Sequence, residues 1–193
     1  MKWVISEGET PIDPQEAGAL KQRSIKTQSE LNIAEAMSIA RAELQISFDD
    51  RHRTLEIDWL IGLHRKMFGE VWSWAGQLRR TQRNIGVDFT MVRIELVQLL
   101  ENARAQLGSG LDRELIATYF HHGLLFVHPF PNGNGRWARR VTEAQCDGFG
   151  IRPPTWISLA PSEVPEFRAR YLDALREGDR GNLAKLRAVM FGN

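Results

Sequence analysis

The sequence predicts a mostly α-helical domain with one small β element. Apolar residues recur at helical spacing in stretch after stretch. Glycine and proline clusters separate those stretches, and capping residues stand at their starts. Only Gln77 to Phe89 breaks the helical spacing, and it reads as an extended hairpin or flap.

The elements follow in order. Asp13-Pro14-Gln15-Glu16 reads as an N-cap, a proline at the first helical position and an acidic first turn, opening a short helix to about Leu20. Thr27 or Ser29 caps a second helix to about Ile46, with Leu31, Ile33, Ala34, Met37, Ala40 and Leu44 as its apolar positions. Thr54 to Phe68 carries a stronger stripe of Leu55, Trp59, Leu60, Leu63 and Met67, closed by Gly69. Val92 to Leu107 presents Leu96, Leu99, Leu100 and Ala103 on one face, and Gly108-Ser109-Gly110 ends it. Asp112 caps a helix that runs through Tyr119-Phe120 to Val127. Gly135 or Arg136 opens the next, to about Phe149, and Pro153-Pro154 breaks the chain. Pro161-Ser162-Glu163 restarts a helix bearing Phe167, Tyr171 and Leu175. Gly178 and Gly181 precede a last helix with Leu183, Leu186 and Val189.

The 193 residues suffice for one domain with a substantial core. Lys plus Arg is 25 against 24 for Asp plus Glu, and that balance argues against a dedicated nucleic-acid binder. The pair Arg79-Arg80 reads as a solvated face; the cluster from Arg136 to Arg140 reads better as phosphate contact. The lone cysteine, Cys146, excludes an internal disulfide framework and reads as a buried apolar position. The apolar run at the N-terminus is too short for a signal peptide, and no stretch reaches transmembrane length. A reducing cytosol is the expected location; a secreted bacterial effector stays open as the alternative.

The chemistry concentrates in His128-Pro129-Phe130-Pro131-Asn132-Gly133-Asn134-Gly135-Arg136. This turn joins two helices. A helix start offers N–H groups and partial positive charge, and glycines let the backbone approach a ligand closely. Together they form an anion nest suited to a di- or triphosphate, with Arg136 and Arg139 adding charged donors. His128 stands at the entrance with an ordinary pKa near neutrality, suited to taking a proton. His121 and His122 invite a metal reading, but no Asp, Glu or Cys completes a ligand set at the usual spacing. One of them is expected to support the motif turn and the other to face solvent. Trp59, Trp72, Trp74 and Trp137 read as core anchors, with Trp137 notable for following Arg136.

The run from His128 to Arg139 resembles the signature of the Fic family, H-P-F-x-[D/E/N]-G-N-G-R-x-x-R. Thr10-Pro11-Ile12-Asp13-Pro14, Thr27-Gln28-Ser29-Glu30-Leu31-Asn32, Trp74-Ala75-Gly76 and Asn84-Ile85-Gly86-Val87-Asp88 are similar to one branch of it, mobile mystery protein B. The resemblance implies a helical core over 51–193 preceded by an N-terminal segment, 1–50, that holds a candidate inhibitory helix. It implies transfer of AMP from ATP to a Tyr, Thr or Ser hydroxyl of a target protein. His128 would be the base, and Asn132, Gly133, Asn134, Gly135, Arg136 and Arg139 would bind the nucleotide. Mg²⁺ would bridge the phosphates, with Asn132 as its protein ligand where many relatives carry an acidic residue. Arg83, Asn84, Ile85, Gly86 and Val87 would form a flap that docks the target; a structural connector is the competing reading. An inhibitory glutamate would pair with the second motif arginine, Arg139, and Glu35 or Glu30 is the candidate. The branch implies a helix-turn-helix antitoxin partner, with no membrane or direct nucleic-acid role. A Doc-like phosphotransferase and a non-catalytic nucleotide sensor are the alternatives. Gly135 argues against the first, because Doc-type motifs carry lysine there.

Overall fold

A computed structural model describes residues 18–25, 27–45, 49–158 and 164–192. Seven α-helices occur among them: α1 (Gln28–Glu43), α2 (Ile57–Phe68), α3 (Val92–Leu107), α4 (Arg113–Val127), α5 (Asn134–Gly148), α6 (Val164–Gly178) and α7 (Ala184–Phe191). Short 3₁₀ turns cover Asp49–Leu55 and Thr155–Ser158. The helix proposed to end near Leu20 lies mainly outside the described residues; Leu20 itself makes an isolated antiparallel bridge to Trp72.

The starts are chemically specified. Thr27 closes a capping box on α1: its hydroxyl accepts from Glu30 N–H, and the Glu30 carboxylate accepts from Thr27 N–H at 2.9 Å. The Asp112 carboxylate accepts from Leu115 N–H to start α4.

Two cores flank α4 and α5. The first gathers Leu31, Leu60, Phe68, Trp72, Leu96, Phe120, Phe130 and Trp137. The second gathers Cys146, Phe167, Tyr171, Leu186 and Phe191. Each fully buried aromatic of this kind contributes about 1.5–3 kcal/mol of burial energy. Trp137 is one of these anchors, and its indole donates to Leu60 O at 3.0 Å. Cys146 is buried as expected, and desolvation raises its thiol to about 12.

The expected hairpin is absent: Gln77 to Phe89 forms no strand among the described residues. A side chain replaces the missing ladder. The Arg79 guanidinium donates to the carbonyls of His128 (2.7 Å), Thr81 (3.2 Å) and Val87, and Arg79 N–H donates to Pro129 O at 2.9 Å. Those carbonyls need no partner strand, so the segment can stay irregular. Arg79 is only 3% exposed, which corrects its reading as a solvated residue.

Candidate active site

The motif turn lies between α4 and α5 and opens into a cavity of about 810 Å³. Its walls come from distant parts of the chain: Leu31, Asn32 and Glu35 of α1, Asn84 to Gly86 of the flap, and Tyr171, Leu172 and Leu175 of α6. His128 and Asn132 to Arg136 line the floor with Arg139.

His128 is the C-cap of α4 and adopts the left-handed conformation, φ 51°. The conformation ends the helix and turns the imidazole toward the cavity. Burial is the main force on its pKa, and the nearby Arg79 and Arg83 charges act the same way; a Leu125 carbonyl opposes them. The result is about 4, well below the neutral value expected from sequence. The ring is therefore neutral at physiological pH. The nitrogen held by the Leu125 carbonyl keeps its proton, and the other carries the lone pair.

Gly133 has φ 79°, and a Cβ there would stand 2.5 Å from the Phe68 ring. That contact and that backbone both demand glycine. The first N–H groups of α5 then face the cavity without intrahelical acceptors. Gly133 N–H itself donates to Asn132 Oδ1 at 2.6 Å.

Asn134 departs from expectation. Its amide closes on Phe130, accepting from Phe130 N–H at 2.9 Å and donating to Phe130 O at 2.8 Å. The side chain clamps the turn, leaving only its backbone N–H to an anion.

His64, which sequence reading passed over, braces the turn from below. Gly76 N–H donates to its Nδ1 at 3.0 Å, so its Nε2–H donates to Asn132 O at 3.1 Å. The ring stacks on Phe130 with centroids 3.6 Å apart, and burial holds its pKa near 3. The signal was available: His64 follows Leu60 by one turn on the buried face of α2.

A model of the Fic/DOC family matches residues 54–146. Protein adenylyltransferase fic-1 of Caenorhabditis briggsae is 30% identical over 141 residues, covering 68% of this chain and 26% of that protein. Protein adenylyltransferase VbhT of Bartonella schoenbuchensis is 27% identical over 135 residues, covering 66% and 28%. The N-terminal FIC domain of Bep8 from Bartonella sp. 1-1C superposes with a TM-score of 0.69 over 87% of this chain and 86% of that one, at 14% identity. The chain carries a Fic/DOC domain.

This Fic/DOC domain spans about a quarter of the curated relatives it matches. The sequence-derived sites distribute unevenly in it. Asn84, Ile85 and Gly86 line the cavity, and a Cβ on Gly86 would stand 2.6 Å from the His128 Cβ. Val87 sits behind them as an acceptor for Arg79, and Arg83 lies close enough to bear on His128. Glu35 is buried and reaches the site, but its partner is Arg136 at 2.8 Å and not Arg139. The Trp72 indole donates to its other oxygen at 2.7 Å, which holds the carboxylate over the first turn of α5. Arg136 also lies over the Phe68 ring, 5.0 Å from its centroid. Glu30 does not reach the cavity; it is exposed and serves the α1 cap.

The two histidines before the motif separate. His121 is fully buried between α5 and α6. His122 faces the cavity rather than solvent, with its ring 3.0 Å from Asp179. Among the described residues no cluster of His, Cys, Asp and Glu could hold a metal. Asn132 offers a cation one neutral oxygen, already accepting from Gly133. These residues fit a resident divalent ion poorly. No helix among the described residues is long and apolar enough to cross a membrane.

Proposed function

We propose that this domain transfers AMP from ATP to a Tyr, Thr or Ser hydroxyl of a target protein. The observation that carries the reading is a neutral His128 beside the open N-terminus of α5 in one cavity. The adenylyltransferase names of the curated relatives support it. In the reaction the target hydroxyl attacks the α-phosphorus while His128 takes its proton. A new O–P bond forms, the bond to the β-phosphate bridging oxygen breaks, and pyrophosphate leaves. The first N–H groups of α5, with Arg136 and Arg139, receive the charge that develops on the departing oxygens. Mg²⁺ would arrive held by the phosphates, with Asn132 as a weak additional ligand. The flap residues Arg83 to Val87 would align the target, and Arg79 supports this by tying their backbone to His128. A helix-turn-helix antitoxin and a bacterial cytosolic setting complete the proposal.

Incubation with ATP labelled at the α- or γ-phosphate, read by mass spectrometry, tests it. Label from the α-phosphate is expected, on the protein itself or on a cytosolic target. Label from the γ-phosphate alone would place the domain with the phosphotransferases. ATP binding without label would favour a sensor.

Glu35 is proposed to restrain the site, acting through Arg136. Paired with Glu35, that guanidinium has less charge to offer a phosphate. Glu35→Gln retains an oxygen for the Trp72 indole and removes the charge. Self-modification should rise several-fold in this variant. Glu30→Gly should lower stability by about 1 kcal/mol through the lost cap, with no such rise. A fall in activity on Glu35→Gln would instead make the pair a support for Arg136.

A further inference from the structure

Arg139 is the motif arginine whose side chain has no carboxylate partner among the described residues. It lines the cavity together with Tyr171, near enough for its charge to act on the phenol, and one Nη lies 4.0 Å from the site a Gly135 Cβ would occupy. Behind Tyr171 runs a chain of buried groups whose protons can be placed. Thr142 Oγ1 donates to Ala138 O at 2.9 Å, so it can only accept from His121 Nδ1–H, 2.7 Å away. His121 Nε2 then bears a lone pair and accepts from the Tyr171 O–H at 2.6 Å. With its proton directed at His121, the Tyr171 oxygen keeps its lone pairs for a donor in the cavity that it shares with Arg139. Burial keeps each member in its neutral state: His121 is lowered to about 3 and Tyr171 raised to about 12.

We infer that Tyr171, oriented by His121 and Thr142, is the positioning residue for Arg139 in anion binding. The choice of a phenol has a physical reason. A carboxylate would hold the guanidinium but cancel its charge, as Glu35 does for Arg136. A neutral oxygen orients the same donors and leaves the charge for a phosphate. The inference deepens the nucleotide reading above and brings α6 into the phosphate site.

The test uses the whole chain with pyrophosphate and ATP as probes. Tyr171→Phe keeps the ring stacked on Phe167 and edge-on to Trp156, and removes only the oxygen. Its pyrophosphate affinity should fall about tenfold, the size of one bond to a charged group. Arg139→Ala should fall at least as far, and the double variant no further than Arg139→Ala alone. Thr142→Val keeps the volume but frees His121 to move its proton to Nε2, which would turn the Tyr171 proton toward Arg139. It should show a smaller loss in the same direction. Multiplying effects in the double variant would overturn the inference. So would unchanged affinity in both Tyr171→Phe and Thr142→Val with the fold intact by circular dichroism. A readout without ligand separates this from the functional reading. In the free protein the Arg139 Nε–H NMR signal, identified by its loss in Arg139→Lys, should shift in Tyr171→Phe. If wild type binds neither probe, the nucleotide reading falls and an unmoved signal sinks the positioning role.

Discussion

Replacing His128 by alanine should slow AMP transfer by roughly two to four orders of magnitude, the usual contribution of a general base. ATP affinity should stay nearly unchanged, because the proposed anion contacts come from the α5 N-terminus, Arg136 and Arg139. The pH profile adds a second signature. A free imidazole would lose its lone pair below about pH 6.5. His128, held near 4 by burial and by Arg79, keeps it through mildly acidic conditions. No acid limb of kcat/KM should therefore appear at about 6.5; activity should persist as pH falls until the fold itself is lost at about pH 5. Wild-type turnover in His128→Ala would remove the residue from the chemistry. An acid limb at 6.5 would show that its neutral state does not come from the surroundings described here.

The second large effect concerns stability. His64, His121 and His128 are all buried, with values held near 3, 3 and 4 chiefly by desolvation. In the unfolded chain each returns to about 6.5. The folded values are depressed, so unfolding takes up protons. Stability is fully present above pH 6.5 and is lost as pH falls toward 4. Each group removes about 1.4 kcal/mol per pH unit, so the three together remove roughly 4. By pH 5 the loss is about 6 kcal/mol, comparable with the whole stability of an ordinary domain. Urea unfolding at pH 7, 6 and 5 should show midpoints falling steeply, with unfolding near pH 5 in buffer alone. Midpoints unchanged to pH 5 would mean that these histidines gain protons without unfolding.

The helices were legible because caps and apolar spacing agree locally. Val92 to Leu107 matches α3 at both ends, and Asp112 caps α4 as read. The motif was legible because its residues are contiguous. What stayed hidden depends on groups far apart in sequence. Nothing near Arg79 signals that it will collect carbonyls on both sides of His128. Tyr171 reads as one apolar position of a stripe, and only folding brings its hydroxyl to His121, 50 residues earlier. The Glu35 carboxylate was found, but the choice between Arg136 and Arg139 is one helical turn of α5, decided by where the Trp72 indole holds it.

The left-handed backbone at His128 sets the proposed function against the fold. A residue with a Cβ in that region costs about 1–2 kcal/mol that glycine would avoid. Among the described residues His128 is the only non-glycine there. Its buried, uncharged ring adds the acid sensitivity described above. A glycine at this position would relieve both burdens, and a selection for thermal endurance alone would drift toward it. In the proposed reaction the histidine therefore marks a place where the molecule sacrifices durability for chemistry.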